Sequence, residues 1–149
     1  MSDSKDEVIR ETIDQSPLFK HLSDKWRSKL AKASHLRSYP EGQAVIDEGQ
    51  EDQQRLFIIL EGEARVWTRS PKGEVELKTL KPGAYFGEVS LLSDKVATAT
   101  VEAQSSELYV VAVDRKIVLK LVEEDEKVRE MLEGVTLARA KDTIGKVME

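Results

Sequence analysis

Cysteine is absent from the 149 residues, so disulfides, thiolate nucleophiles and cysteine-bound metals are excluded. Histidine is nearly absent as well. His21 and His35 lie in segments of different type and give no metal-ligand spacing, so neither a metal nor a cofactor is expected. No apolar run approaches the roughly 20 residues that span a bilayer, and Met1–Glu7 has no apolar signal core. The expectation is a cytoplasmic protein without membrane contact. A net charge of -5 comes with no clustered Lys/Arg stripe, the usual footprint of a nucleic-acid binder, so nucleic acid is not an expected partner.

What is present fits a globular protein. Hydrophobic residues at 40% and charged residues at 34% allow a buried core with some exposed helix, and the length suits a single domain, 1–149. Gly42, Gly49, Gly62, Gly73, Gly83 and Gly87 each border a short apolar or alternating run, which reads as a small antiparallel β barrel or jelly roll. The expected strands are His35–Tyr39, Gln43–Asp47, Leu56–Leu60, Ala64–Arg69, Val75–Leu80, Ala97–Ala103 and Leu108–Val113.

Both flanks change period. Ser16-Pro17-Leu18-Phe19 reads as a tight turn, and Ser23 as the N-cap of a helix to about Ala33 with Leu22, Trp26, Leu30 and Ala33 near one face. Asp114 is placed to cap a short helix through Leu121. A longer helix from about Glu124 puts Val128, Met131, Leu132, Val135 and Ala138 on one stripe, which must cover either the barrel or a partner. The layout is a helical lead over 1–34, strands over 35–113 and C-terminal helices over 114–149.

The stretch Tyr85-Phe86-Gly87-Glu88-Val89-Ser90-Leu91-Leu92-Ser93-Asp94-Lys95-Val96-Ala97-Thr98-Ala99-Thr100-Val101 reads as a strand end, a glycine turn, one helical turn and a further strand. It resembles the phosphate-binding cassette of cyclic nucleotide-binding domains, of the kinase-regulatory-subunit and channel type. Leu56-Phe57-Ile58-Ile59-Leu60-Glu61-Gly62-Glu63-Ala64 is similar to that family's central hairpin. Pro40-Glu41-Gly42-Gln43, Asp47-Glu48-Gly49-Gln50 and Lys81-Pro82-Gly83-Ala84 match its turns. The resemblance covers roughly Ser16 to Leu132. It implies an α+β fold, a short-stranded antiparallel jelly roll (double-stranded β-helix) flanked by N-terminal and C-terminal helices.

The same resemblance implies a ligand site over Phe86, Gly87, Glu88, Val89, Ser90, Ala97, Thr98 and Ala99. Glu88 would accept a hydrogen bond from a ribose 2'-hydroxyl. Val89 to Leu92 would form a helical turn whose free N–H groups, notably that of Ser90, favour an anion, while Leu91 and Leu92 are core. The departure from the family is Ala97, which stands where the family keeps the arginine that pairs with the ligand phosphate. That arginine's charge-assisted bonds are worth about 1.5–3 kcal/mol, and it offsets a Glu88–phosphate repulsion on the order of 2 kcal/mol. Losing both weakens a cyclic nucleotide by roughly two to three and a half decades.

Lys95 is either a substitute phosphate cation or a solvated loop residue. Thr98 is either a hydroxyl facing a guanine-type base or an ordinary β-branched strand residue. Leu121, Val128, Met131 and Leu132 are available as a lid over the base without the sequence choosing among them; Trp26, Trp67 and Tyr109 read as packing residues. The expected function is a non-enzymatic ligand-sensing module that takes cAMP or cGMP weakly, or a neutral nucleoside. Occupancy would move the C-terminal helices against a protein effector, with a hinge near the Asp114 helix and Glu123-Glu124-Asp125-Glu126. The alternative is a ligand-free interaction domain that keeps the fold. A metal-dependent jelly-roll enzyme lacks its histidines, and about ten residues after Arg139 leave no room for a helix-turn-helix; no basic pair precedes Arg69-Ser70-Pro71 to make a pseudosubstrate.

Overall fold

The computed structural model describes residues 2–51, 54–87 and 96–134. Two helices, α1 (Ser2–Gln15) and α2 (Asp24–Lys32), precede eight strands. These are β1 (Ser34–Pro40), β2 (Ala44–Ile46), β3 (Arg55–Glu61), β4 (Ala64–Ser70), β5 (Gly73–Leu80), β6 (Tyr85–Phe86), β7 (Thr100–Ala103) and β8 (Glu107–Asp114). Helix α3 (Arg115–Glu124) follows, and residues 126–134 are helical again. The strands form two antiparallel four-stranded sheets, ordered β1-β8-β3-β6 and β2-β7-β4-β5, the two faces of the expected jelly roll.

The central strands of the first sheet, β3 and β8, are buried on both sides, and their sequence shows why. Along β3, Leu56 and Ile58 enter a cluster with the helices, while Phe57 and Ile59 enter the interior between the sheets. Along β8, Val111 and Val113 face the helices, and Leu108, Val110 and Ala112 face the interior. Successive side chains of a strand point to opposite faces, so a strand covered on both faces reads as an unbroken apolar run. Tyr109 falls on the helical side of that alternation but remains 40% exposed. β4 and β5 show the other pattern: Ala64, Val66 and Leu80 pack inward, while Arg65 pairs with Glu74 and Glu76 on the outside.

The helical cluster gathers Ile9 and Ile13 of α1, Leu18, Phe19 and Leu22 of the connecting turn, Leu30 of α2, and Val118 and Leu121 of α3. Val128 and Leu132 complete it, both fully buried. The C-terminal stripe therefore covers the sheet-and-helix core as far as Leu132; Val135 and Ala138 lie outside the described residues. Ser23 is the N-cap of α2, its hydroxyl accepting from the Trp26 amide.

Several boundaries differ from expectation. The helical lead contains a separate helix over Ser2–Gln15, whose short apolar signature, Ile9 and Ile13, is completed only by packing. Residues 97–99 are not strand: Ala97 pairs with a loop rather than a ladder, and β7 begins at Thr100. Asp114 occupies the N-cap position of α3 without a capping hydrogen bond, and its carboxylate lies 3.8 Å from Arg55 Nε. α3 runs on to Glu124, and Asp125 rather than Glu124 opens the next helix, accepting the Val128 N–H at 2.9 Å.

Candidate ligand site

The cassette enters from β6, a two-residue strand held against β3 by the pairs Phe57↔Phe86 and Ile58↔Tyr85. Its approach is fixed beforehand, since the Gly83 N–H donates to the Ile59 carbonyl and the Ile59 N–H to that of Ala84, each at 2.8 Å. Phe86 is buried and stacks on Phe57 with centroids 5.1 Å apart and planes 17° from parallel. Gly87 then turns the chain at φ 95°, a left-handed conformation that L side chains rarely adopt. Glu88, Val89, Ser90, Leu91, Leu92 and Lys95 lie outside the described residues.

The chain leaves the cassette through Val96–Thr100, and this exit is built by contacts with the β2–β3 loop. The Gly49 N–H donates to the Ala97 carbonyl at 2.8 Å, and the Ala97 N–H donates to the Gln50 carbonyl at 3.0 Å. The Ala97 side chain is 6% exposed and belongs to the interior cluster with Ile46, Phe57, Phe86 and Val101. Thr98 is exposed and Ala99 half-buried. Thus Phe86, Gly87, Ala97, Thr98 and Ala99 sit at the two ends of the cassette, with Phe86 and Ala97 sharing one apolar cluster.

One residue of this arrangement escaped the sequence reading. Glu48 donates its N–H to Thr100 Oγ1 at 3.0 Å. Its carboxylate Oε1 accepts from Thr68 Oγ1 at 2.7 Å and from the Arg69 N–H at 3.0 Å. The available signal was the Asp47-Glu48-Gly49-Gln50 turn itself; what hid the role was that its partners are 20 to 52 residues away.

Two arginines of β4 are engaged on the outer face. Arg65 bonds Glu102 at 2.6 Å, Glu74 at 3.0 Å and Glu76 at 3.2 Å. Arg65 and Arg69 both lie over the Trp67 ring, at 5.3 and 5.6 Å from its centroid. Trp67 is thus a packing residue of the outer sheet, and Trp26 packs against the helical cluster with Lys29 Nζ over its ring.

Leu121, Val128 and Leu132, the lid candidates, are fully buried in the helical cluster, with Met131 partly buried against it. At the junction between α3 and the next helix, the Asp125 carboxylate meets His21 Nε2 at 3.3 Å. Burial pushes the Asp125 carboxyl up, but the Val128 N–H, His21 and the Lys127 N–H together outweigh it and hold the group below its ordinary range. The expected hinge is therefore tied to the turn before α2. Among the described residues, no helix is long and apolar enough to cross a membrane.

The arrangement is a two-sheet antiparallel jelly roll flanked by helices, with a glycine turn and an apolar cluster at the two ends of the cassette. The chain belongs to the cyclic nucleotide-binding domain family, whose sequence model matches residues 36–125. It is 35% identical over 133 residues to a cAMP-dependent protein kinase regulatory subunit of Mycosarcoma maydis, covering 87% of this chain and 24% of that protein. It superposes on the cAMP-bound structure of PfPKA-R (141–441) with a TM-score of 0.78 and 27% identity, covering 94% of this chain and 46% of that one. It also superposes on the regulatory subunit of a cAMP-independent protein kinase A from Trypanosoma cruzi bound to guanosine, with a TM-score of 0.69 and 21% identity over 91% of this chain and 50% of that one. The chain spans about a quarter of the curated relative it matches.

Proposed function

We propose that residues 1–149 act as one regulatory ligand-sensing domain, without catalysis of its own, whose pocket takes a ribose-bearing ligand without an anchored phosphate. The preferred ligand is an uncharged nucleoside; cAMP and cGMP bind more weakly. The observation that carries this reading is Ala97. By the resemblance of the cassette, Ala97 stands where the family places its phosphate arginine, and its methyl group is 6% exposed in an apolar cluster with Phe57 and Phe86. A phosphate brought there would be desolvated without a bidentate partner, which costs free energy, whereas a nucleoside brings no such charge. The guanosine-bound Trypanosoma cruzi structure is a precedent for a nucleoside in this fold.

The output follows from the helices. Ligand shifts the balance between two arrangements only by its differential affinity for them. The element that moves is the α3 region and the helix after Asp125, and a protein effector reads its position; no nucleic acid or membrane takes part.

Ala97→Arg tests the reading directly. Titration calorimetry of the variant should show cAMP or cGMP binding at least about tenfold tighter than in the wild type, from the restored charge-assisted pair. Unchanged cyclic nucleotide affinity, with a well-folded variant, would mean that Lys95 already serves the phosphate or that the pocket is closed to it. A wild type that binds neither nucleosides nor cyclic nucleotides would favour the ligand-free interaction domain.

A further inference from the structure

We infer that Glu48 is a positioning residue of the ligand site, holding the Ala97–Thr100 wall in place through Thr100, Thr68 and the backbone of its own loop. The inference rests on the reading of the cassette given above. Residues 97–99 have no ladder of their own, since β7 starts only at Thr100. The position of Ala97 therefore rests on its backbone bonds to the loop at 48–50. Gly49 and Gln50 exchange backbone hydrogen bonds with Ala97, and the Glu48 N–H reaches Thr100 Oγ1 at 3.0 Å. These bonds fix the wall to the loop, and the Glu48 carboxylate fixes the loop to β4.

That second attachment has a chemical peculiarity. Thr68 Oγ1 has one proton and two acceptors in reach: Glu48 Oε1 at 2.7 Å and the Thr98 carbonyl at 3.3 Å. A carboxylate at the shorter distance takes the proton, because a charge-assisted bond is the stronger one. Thr68 and Thr100 are both buried, so water is a poor substitute partner for either hydroxyl. Removing the carboxylate releases the Thr68 proton to the Thr98 carbonyl and frees the loop from the Arg69 N–H. The Ala97 end of the wall, which hangs on the loop backbone at Gly49 and Gln50, then loses its tie to β4 while Thr98 keeps one through Thr68, and a ligand must order the Ala97 end on binding.

The test compares Glu48→Ala with Glu48→Gln on the full chain, by amide hydrogen exchange without ligand and by calorimetric titration with guanosine. Glu48→Gln keeps an oxygen acceptor for Thr68 and Arg69. In Glu48→Ala the Ala97 and Gly49 amides should exchange about tenfold faster, while the Ile58 and Val111 amides in the sheet core change by less than about twofold. Guanosine should bind about fivefold more weakly to Glu48→Ala and within about twofold of wild type to Glu48→Gln. Unchanged Ala97 exchange, or equal acceleration at Ile58 and Val111, would overturn the positioning role. So would an unchanged guanosine affinity in Glu48→Ala when the wild type binds guanosine. A wild type that binds neither guanosine nor cAMP would instead sink the reading of the cassette on which the inference rests, and the inference with it.

Discussion

Gly62, in the turn between β3 and β4, is held at φ +89°, where a Cβ would stand 2.5 Å from the Glu107 carbonyl oxygen and 2.7 Å from Ser105 Oγ. The neighbouring Glu63 N–H depends on the same Ser105 hydroxyl, at 2.9 Å. Both the left-handed backbone and the close approach forbid a side chain, so Gly62→Ala should destabilise the protein by at least about 2 kcal/mol in urea unfolding. A loss within experimental error would mean that the hairpin relaxes without cost. Ala97 is the opposite case: on the proposed reading its side chain, not its backbone, decides the chemistry. An arginine there enters an apolar cluster, so the ligand-free Ala97→Arg protein should melt lower than wild type and recover on adding cyclic nucleotide.

At the scale of elements, α1 and α2 are joined by charges as well as by Ile9, Ile13 and Leu30. Asp14 Oδ1 accepts from Arg10 Nε at 2.8 Å and from Arg27 Nη1 at 2.7 Å, and Arg10 continues to Asp24 and to Ser28 Oγ. Burial raises the Asp14 pKa, and the bonds from Arg10 and Arg27 overcome that and lower it below its ordinary value of 3.8. A carboxyl depressed on folding stabilises the native state above its unfolded pKa and loses that contribution as pH falls through the folded pKa. The wild type should therefore exceed Asp14→Asn in stability at pH 7, by about 0.5–1 kcal/mol once solvent screening is allowed for, and the difference should begin to shrink below about pH 4 and close as pH falls through the depressed folded-state pKa. Thermal unfolding from pH 7 to pH 2 checks this; a constant difference would remove Asp14 from the clasp.

The elements also divide by how far the sequence disclosed them. β3 and β8 were legible because residues such as Leu56–Ile59 and Val110–Val113 are buried on two faces and leave no polar alternation. α2 was legible from Ser23. α1 was not, because Ile9 and Ile13 are few among polar residues and become part of a core only in the cluster they share with the turn, α2 and the C-terminal helices. The cassette's entry was visible in Phe86-Gly87. Its exit was not, because Ala97 pairs with Gly49 and Gln50, residues brought close only by the fold. Glu48 belongs to that same class of long-range contact, which no local pattern encodes.

The whole molecule is a sheet shared by two cores. β3 and β8 give alternate residues to the interior beside the ligand cassette and to the helical cluster that holds α1, α2, α3 and the helix after Asp125. On the proposed reading, a change in the cassette reaches the helices through these strands packed on both faces; the His21–Asp125 contact ties the junction between the C-terminal helices to the turn before α2. Sensing by such a domain needs only that a ligand prefer one packing of those helices over another.

On the proposed reading, the site keeps its ribose contact while its phosphate anchor has been lost at Ala97. The most direct measurement is calorimetric titration of the wild-type chain with matched pairs, guanosine against cGMP and adenosine against cAMP. Each nucleoside is expected to bind at least about tenfold more tightly than its cyclic monophosphate, the phosphate adding desolvation without a bidentate partner. A cyclic monophosphate that binds tenfold more tightly than its nucleoside would contradict it.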